Sequence, residues 1–481
     1  MVKRLVSKLP QMFVYLFFFF VPLQTVYLIM SPMIGKPQGI WQYGVIGLYG
    51  TDILVAALVA CFVITQLYKR RFVVSESSAG YSRVPLTLLT VGWAIMLSWS
   101  LVALVWAPEQ WVSVYGIARM FEIGLSVWLL RKLSWSWVGA SVAYVSMATL
   151  QGVLSWQQFL NQQIDENKWL GLAYHSSQNL GDSVVESVLR RFLRAYGTFA
   201  HPNMLGIYMA VALVLCVALL WYVRRKWQGY LLLTAWISIL TGLILIFSRA
   251  AWIAGFVGIL CFVVIMFFLK KHIRVAHDHH PGFGVLMLAI SIIVVGAMAY
   301  GLWEPVSTRL GVGGLKRLEV RSLQERGASI NEGIAVSKTA LPYGLGLGQY
   351  TYSLYLKDKK ENHEKPSYYY QPAHAVPLLV ASELGVAGMS GVLLLVIGCI
   401  WLVFLKLRNI VSTFDATHAS LSLSLLLILV IAMLSDHFLW TTHAGSVMVA
   451  TILAIILVVQ PRETITYSLP SPQDTPHQMH S

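Results

Sequence analysis

Long apolar runs constrain the fold of this chain more than any other feature of its sequence. A helix needs about 17–25 apolar residues to cross about 30 Å of hydrocarbon. Twelve runs of this kind occur, at 12–30, 46–67, 85–106, 112–130, 135–156, 203–221, 229–247, 250–269, 283–302, 375–405, 417–435 and 442–460. They predict an all-α polytopic integral membrane protein with about twelve transmembrane helices. The first run resembles a signal peptide, but no small-residue cleavage site follows closely, so we interpret it as a retained helix.

The composition agrees with a membrane protein. Hydrophobic residues make up 57% of the chain and charged residues 12%, whereas soluble domains are about 45–50% apolar and about 25% charged. The net charge of +14 can be explained by topology, because membrane proteins collect Lys and Arg on the cytoplasmic side. We therefore expect the lipid bilayer as a partner and no nucleic acid. The four cysteines all lie in apolar runs, which indicates buried thiols rather than disulfides or a zinc site.

Basic residues predict the orientation. With both termini in the cytoplasm, eighteen basic residues lie on the cytoplasmic side, and the short loops opposite carry only Lys36 and Arg249. The eighteen are Lys3, Arg4, Lys8, Lys69, Arg70, Arg71, Arg83, Arg131, Lys132, Arg224, Arg225, Lys226, Lys270, Lys271, Arg274, Lys406, Arg408 and Arg462.

The same pattern divides the chain into six regions. Two of them are long outer loops, and loops of more than about 12–15 residues are usually functional. The predicted regions are a five-span N-terminal part at 1–156, a first outer loop at 157–202, spans six to nine at 203–302, a large and partly helical outer loop at 303–374, spans ten to twelve at 375–460 and a cytoplasmic tail at 461–481.

Polar residues that hydropathy does not explain all fall on the predicted outer side. They predict an active face there. The residues are Arg194, His201 and Asn203 in "RAYGTFAHPNMLG", Arg249 in "FSRAAW", His374 before span ten, and Asp436 and His437 in "SDHFLW".

Each of these residues also has a purely structural interpretation. Arg194 and His201 can reach lipid headgroups from a helix end, and Arg249 can form a salt bridge with Asp436. Gly197 and Pro202 suggest an irregular helix start whose N–H groups bind an anion, although Pro202 also suits ordinary helix initiation.

The large outer loop contains an apolar pattern with helical spacing. Leu323, Ile330, Ile334 and Leu341 predict an amphipathic helix with Arg326 beside its apolar stripe. Such a helix either lies flat at the membrane interface or contributes to a site. The glycines of "PYGLGLGQY" (342–350) lack the context of a nucleotide loop and predict a flexible turn.

Several motifs, taken in order, resemble those of a known family. "RAYGTFAHPNMLG", "SRAAW", "ER" with "PYGLGLG", and His374 followed by Glu383, Gly385 and Gly388 resemble the O-antigen ligase and polymerase superfamily of bacterial envelope polysaccharide synthesis. The resemblance covers roughly residues 190–445, and the first five spans agree in hydropathy only. Ala375 departs from the Asn, Ser or Gln that usually follows the histidine, which leaves ligase and polymerase both open.

The resemblance implies a metal-independent, inverting glycosyltransferase of the inner (cytoplasmic) membrane, with no cofactor. Its donor would be a glycan on undecaprenyl diphosphate, and its acceptor a hydroxyl of a glycan, lipid or protein on the outer side. By the same resemblance Arg194, Arg249 and Arg326 would bind the diphosphate and His374 would activate the acceptor. We assign supporting roles to His201, Asn203, Glu383, Asp436 and His437.

The chemistry of these residue types is consistent with that activity. Guanidinium groups stabilise a departing diphosphate without a metal, and a histidine titrates near the pH that a general base needs. The main alternative is a multi-span transporter or flippase of lipid-linked or other envelope precursors, and a second is a scaffold subunit. A transporter usually shows two related halves and polar residues near the bilayer midplane. We see neither in this sequence.

Overall fold

A computed structural model of the chain describes residues 2–71, 83–187, 190–270, 282–312 and 316–458. The predicted cytoplasmic tail at 461–481 lies outside the described residues. The helices are α1 (Val2–Phe19), α2 (Gly50–Arg71), α3 (Val84–Ala103), α4 (Gln110–Lys132), α5 (Trp137–Asn161), α6 (Pro202–Leu219), α7 (Lys226–Leu245), α8 (Arg249–Lys270), α9 (Gly282–Gly301), α10 (Trp303–Leu310), α11 (Arg317–Ala340), α12 (Tyr350–Lys360), α13 (Val376–Arg408), α14 (Thr413–Ser435), α15 (Phe438–Thr441) and α16 (His443–Leu457).

The helical membrane architecture is confirmed. Within the described ranges ten helices are long and apolar enough to span a membrane, and Lys8–Phe19 and His443–Leu457 are shorter apolar helices. These twelve correspond to the twelve predicted runs. The remaining helices, α10, α11, α12 and α15, lie in the segments that connect the spans.

Short antiparallel strand pairs connect some of these helices. The strands are β1 (Val26–Met30), β2 (Met33–Ile34), β3 (Gly39–Ile40), β4 (Ile46–Tyr49), β5 (Gln163–Ile164), β6 (His175–Ser176), β7 (Val184–Glu186) and β8 (Arg191–Leu193). They pair as β1 with β4, β2 with β3, β5 with β6 and β7 with β8.

The predicted ends of the first two spans are wrong. Residues 26–30 and 46–49 form β1 and β4, in which Val26 lies opposite Tyr49, instead of extending α1 and α2. Pro22 explains the early end of α1, because it has no N–H to donate and disfavours helical backbone at the residue before it. Residues 46–49 are held as a strand by pairing with β1. Apolar content alone cannot distinguish a strand from a helix end in such a run.

Helix α6 lies at the centre of the bundle. Every residue of α6 is buried, and its neighbours are α5, α7, α8 and α14. A helix that is apolar on all sides is stable only when it is covered on all sides. The packing therefore fixes the position of its first turn, which carries Asn203.

Helix α13 is broken, and the glycine-rich segment 342–348 docks at the break. Gly385 has φ 59° and ψ −147°, a backbone conformation that is essentially restricted to glycine. The N–H of Val386 donates to the Pro342 carbonyl over 2.9 Å, and the N–H of Gly346 donates to the Glu383 carbonyl over 2.9 Å. The segment forms turns as predicted, and these hydrogen bonds attach it to α13.

The predicted amphipathic helix of the large loop is confirmed as α11. Its contact with α13 is made by small residues: Gly333 packs against Leu378, and the Ser337 hydroxyl lies 2.9 Å from that of Ser382. The predicted apolar stripe, Leu323, Ile330, Ile334 and Leu341, is exposed. Arg326 precedes Gly333 and Ser337 by 7 and 11 residues and so lies on the same side of the helix as they do.

Candidate active site

Both long loops lie on one side of the bundle, which we call the loop face. It carries residues 157–202 and 303–374, and it also includes the first residues of α6, α8 and α13 and the turn after α14. Arg317 of α11 reaches Glu186 of β7 over 2.8 Å, which joins the two loops. All nine residues that the sequence assigned to the site lie on this face or directly beneath it.

Arg194 is buried and forms hydrogen bonds within the protein. Its Nε donates to the Ile246 carbonyl at the end of α7 over 2.8 Å, and its Nη2 donates to Asn203 Oδ1 over 2.7 Å. The side chain thus fixes the end of α7 to the start of α6. The alternative in which Arg194 reaches lipid headgroups is wrong, because the guanidinium lies inside the protein.

Asn203 connects Arg194 to a carboxylate. Its Oδ1 accepts from Arg194 and from the Ser248 hydroxyl, the latter over 3.1 Å. Its Nδ2 donates to Asp436 Oδ2 over 2.8 Å. Because both ends of this amide are used, its orientation is fixed by its partners.

Asp436 and His374 form an acid–imidazole pair. His374 Nδ1 lies 3.4 Å from Asp436 Oδ1, and the backbone N–H of His437 donates to the same oxygen over 2.7 Å. Burial opposes ionisation of Asp436. The hydrogen bond from His374 and the proximity of His437 and His201 outweigh burial and hold the pKa of Asp436 well below its usual range. The carboxylate is therefore ionised and accepts a hydrogen bond from the N–H at Nδ1, which leaves His374 Nε2 as the basic nitrogen.

The loop face holds the His374 backbone in place. The His374 N–H donates to the Ser329 hydroxyl of α11 over 3.2 Å, and α13 begins two residues later at Val376. The imidazole is 30% exposed, so an acceptor can reach it from the loop face.

His437 lies beside the pair, with its ring centroid 5.4 Å from that of His374. Its Nδ1 is 2.7 Å from the Thr441 hydroxyl. Burial lowers the pKa of His437 to about 4, against the opposing effect of Asp436. The imidazole is therefore neutral at neutral pH and helps to enclose Asp436.

His201 has a capping role. It is the N-cap of α6, and its Nδ1 accepts from the Asn203 N–H over 3.1 Å. Since Nδ1 accepts, the ring proton is on Nε2, which lies 3.1 Å from the Ser183 hydroxyl. Burial and, to a smaller extent, the charge of Arg194 lower the pKa of His201 to about 3. The Asn203 N–H of this helix start is thus already bonded, which argues against the anion site that Gly197 and Pro202 suggested.

Arg249 begins α8 and faces a carboxylate that the sequence did not single out. Its Nη2 lies 3.3 Å from Glu319 Oε2, so the suggested salt bridge with Asp436 is wrong. Glu319 also accepts from Arg309 Nη1 over 2.5 Å. A cation at the start of a helix is unfavourable with respect to the helix dipole, so its position there requires an anionic partner.

Four arginines form what we call the arginine cluster: Arg249 and Arg309 contact Glu319, and Arg194 and Arg326 interact with Arg309 through their charges. Burial lowers the pKa of Arg309, Glu319 raises it, and Arg249 and Arg326 lower it again. Burial likewise lowers the pKa of Arg194, and the charges of Arg309 and Arg326 add to this effect. The cluster thus brings together all three predicted arginines, and its positive charges repel one another.

Sequence reasoning missed Arg309 and Glu319. Both lie in the large loop among several other charged residues, and no motif or spacing distinguishes them there. Their burial is the distinguishing property, at 8% and 3% exposure. Only the three-dimensional arrangement shows it.

Glu383 is buried at the α13 break and separate from the His374–Asp436 pair. Its Oε2 accepts from Trp440 Nε1 over 2.9 Å, and its Oε1 lies 3.4 Å from the Tyr350 nitrogen. Trp440 belongs to α15, which directly follows His437. Glu383 therefore contacts the site only indirectly, by holding α15, the short helix that follows His437.

One group of residues can also hold a metal ion. Single ligand atoms of His374, Asp436 and His437 lie within 4.8 Å of one another. Neutral imidazoles and a carboxylate are ligands that suit divalent transition metals. The expectation of a metal-free reaction therefore stays a prediction that needs a direct test.

Comparison with known proteins agrees with the motifs. Residues 233–393, about a third of the chain, match the family model described as O-antigen ligase. The match confirms the resemblance to the O-antigen ligase and polymerase superfamily. It includes Arg249, Arg326, His374 and Glu383, while the other predicted site residues lie outside the matched segment. No curated protein matches the chain.

Proposed function

We propose that this membrane protein of the O-antigen ligase type transfers a glycan from undecaprenyl diphosphate to an acceptor hydroxyl on the outer side of the cytoplasmic membrane. The family match supports an enzyme of the ligase or polymerase type. The further assignment of donor, acceptor and residue roles follows from the chemistry of the loop face.

His374 is the general base of the proposed reaction. Asp436 holds the Nδ1 side of the ring, so Nε2 accepts the proton of the acceptor hydroxyl. The oxygen then attacks the anomeric carbon of the donor, and the bond from that carbon to the diphosphate oxygen breaks. A single displacement of this kind inverts the configuration at the anomeric carbon.

The arginine cluster binds the diphosphate and stabilises it as it leaves. Guanidinium groups offer paired N–H donors that match phosphate oxygens. The negative charge that develops on the leaving diphosphate increases its attraction to fixed cations, which lowers the barrier. Arg249 is one third exposed at the loop face, so it is placed to meet an incoming donor.

One observation carries the proposal: a continuous hydrogen-bonded chain links the base to the cluster. It runs from His374 through Asp436 and Asn203 to Arg194. Every link involves a buried or half-buried side chain from a different segment of the sequence. This chain supports the proposal because it joins the proposed proton acceptor to the proposed diphosphate-binding groups, and a displacement needs both held in a defined geometry.

Glycan transfer by the purified protein in nanodiscs tests this proposal. His374→Gln keeps a hydrogen-bonding side chain without the basicity, and we expect transfer to fall by about 10²–10⁴-fold. Binding of the lipid-linked donor should change little. Normal turnover by His374→Gln would place the base elsewhere.

Arg249 supplies the second arm of the test. Arg249→Ala should abolish transfer at unchanged protein level, and Arg249→Lys should retain part of it, because a point charge lacks the bidentate geometry. The matched control is Arg321→Ala on α11, whose exposed ion pair with Glu325 should be dispensable. Near-normal transfer by Arg249→Ala would refute the role of the cluster.

Glycan transfer in the presence of a chelator distinguishes a metal-free reaction from one that uses a metal at His374, Asp436 and His437. Transfer that persists in EDTA supports the metal-free base, whereas loss in EDTA and recovery with a divalent cation would assign His374, Asp436 and His437 to a metal.

In cells, deletion of the gene should cause a glycan to accumulate on undecaprenyl diphosphate. Loss of a flippase would also leave a lipid-linked glycan, but on the cytoplasmic leaflet, so accumulation on that leaflet would favour the transporter alternative.

A further inference from the structure

Glu319 occupies an unusual position in the arginine cluster. It lies in the first turn of α11, where the helix dipole favours a carboxylate, and it is 3% exposed. One oxygen accepts from Arg309 over 2.5 Å, and the other lies 3.3 Å from Arg249. A single carboxylate thus bridges two guanidinium groups from two different helices.

The two contacts of Glu319 are unequal. The Arg309 side chain is 10% exposed and its contact is short, whereas the Arg249 side chain is 33% exposed. Among the described residues Glu319 Oε2, the oxygen that faces Arg249, accepts no hydrogen bond of good geometry. Arg309 is therefore fixed to Glu319, and Arg249 is held only by charge at a distance.

Charge balance makes this difference important. Glu319 is the one carboxylate that forms ion pairs with the cluster arginines in the described part of the chain, against four guanidinium groups. Burying several cations with a single anion is costly, so the cluster favours a further anion. A diphosphate supplies that anion. Arg249 is the more exposed of the two arginines that contact Glu319, and a diphosphate that approaches it is repelled by the Glu319 carboxylate.

We propose that Glu319 is a positioning residue that holds Arg309 permanently and holds Arg249 only until the donor diphosphate replaces it as the partner of Arg249. This inference rests on the proposed function, because it takes the arginine cluster as the diphosphate site. It adds a competition for Arg249 between a side chain on α11 and the substrate.

The competition predicts an unusual gain of affinity. Glu319→Gln removes the competing charge and keeps the shape of the side chain. Undecaprenyl diphosphate should bind the purified variant in nanodiscs about three- to tenfold more tightly, the range expected for one partly screened charge. In the transfer assay the KM for the donor should fall and kcat should fall as well, since Arg309 loses the anion that orients it.

Two further variants make the test specific. In an Arg249→Ala background Glu319→Gln should no longer tighten binding, because the group for which Glu319 competes is absent. Glu325→Gln removes one charge from the same helix at an exposed position and should leave donor affinity unchanged.

Glu319→Asp covers the case in which Glu319→Gln does not fold. It keeps the charge beside the buried Arg309, but its shorter side chain cannot bridge both guanidinium groups. It should tighten binding to a smaller extent. A well-folded Glu319→Gln or Glu319→Asp that binds undecaprenyl diphosphate as the parent does, or more weakly, would refute the competition.

Binding of undecaprenyl diphosphate by the parent protein and by Arg249→Ala shows whether the diphosphate site or only the competition at Arg249 is wrong. If the parent protein binds undecaprenyl diphosphate and Arg249→Ala weakens that binding, the site stands and the Glu319 variants decide the competition alone. If Arg249→Ala binds undecaprenyl diphosphate as tightly as the parent, both the site and the competition are overturned.

Discussion

At the scale of single residues, Asp436 determines which nitrogen of His374 can act as a base. Its Oδ1 faces His374 Nδ1 and accepts the His437 N–H, and its Oδ2 accepts from Asn203. With both oxygens used as acceptors, the ionised carboxylate can accept a hydrogen bond from the N–H at Nδ1 but cannot donate one. The tautomer of His374 therefore depends on the charge of Asp436 and on the orientation of Asn203.

Asp436→Asn tests this dependence. The new amide can donate to Nδ1, which moves the ring proton to Nε2 and removes the base. Transfer should fall by about 10²–10⁴-fold, with little change in donor affinity. The measurement is kcat and donor dissociation constant on the same purified variant.

The control for this variant is a second acid–imidazole pair in the first loop. His175 Nδ1 lies 2.7 Å from Asp182 Oδ1, outside the chain that links His374 to Arg194. Asp182→Asn should leave transfer within about threefold of the parent. An equal loss in both variants would indicate a general effect on the loops instead of a tautomer effect.

Two largely buried histidines of the loop face, His201 and His437, predict a pH dependence of stability. The pKa of an unfolded histidine is about 6.5, whereas burial lowers that of His201 to about 3 and that of His437 to about 4. Between about pH 6.5 and pH 4 the unfolded chain binds more protons than the folded one, so stability decreases as the pH falls through this window.

Thermal unfolding in detergent at pH 7.5 and pH 5 measures this effect. The unfolding temperature should be lower at pH 5. Replacing both His201 and His437 with Gln should reduce the difference, and His363→Gln, at an exposed position, should preserve it. An unfolding temperature that does not change with pH would show that these histidines do not limit stability.

At the scale of elements, the break in α13 joins the large loop to the membrane helices. The Gly385 backbone lets the 342–348 segment approach, and its carbonyl at Pro342 accepts from Val386. The Trp99 and Trp106 indoles of the α3 region donate to the carbonyls of Tyr343 and Gly344 over 2.9 Å each. The segment thus connects α3, α13 and the end of α11, the helix that carries Glu319 and Arg326.

Gly385→Ala should disrupt this junction. A Cβ at position 385 would collide with the Pro342 carbonyl, and the backbone conformation alone costs about 1–3 kcal/mol for a residue other than glycine. We expect a lower unfolding temperature and weaker transfer. The control is Gly296→Ala in α9, where a Cβ meets no atom within 4 Å; an equal change in the two variants would contradict the role of the break.

At the scale of the whole molecule, one face of the bundle carries every residue of the site. The two long loops meet there through Arg317 and Glu186, and the central helix α6 begins there. The distribution of basic residues predicts that this face is extracytoplasmic and that both termini are cytoplasmic. The side of the membrane on which the proposed donor would be used depends on this orientation.

Labelling of introduced cysteines tests the orientation. In a background without the four native cysteines, Leu180→Cys and Lys360→Cys place thiols at exposed positions of the two long loops. Both should react with an impermeant thiol reagent in intact cells or spheroplasts. Val411→Cys, exposed in the turn between α13 and α14 on the opposite side, should react only after lysis. The reverse pattern would invert the topology.

The sequence alone determined the membrane architecture. The length of each apolar run sets whether a helix can cross the bilayer, and this is a local property, so each of the twelve runs contains a helix and the last ten have ends close to the predicted ones. The prediction from hydropathy failed at residues 26–30 and 46–49, because hydropathy does not distinguish a strand from a helix. The first helix also ended early, before Pro22.

The sequence also singled out His374, Arg194, Arg249 and Arg326 as candidates. Hydropathy does not explain charged or basic groups beside apolar helices on the side with few cations. Only the tertiary structure paired His374 with Asp436 and Arg249 with Glu319, since these partners are 62 and 70 residues apart. Burial distinguished Arg309 and Glu319 from the many exposed charges of the same loop. Hydropathy acts along the chain, whereas ion pairing and burial depend on which segments packing brings together.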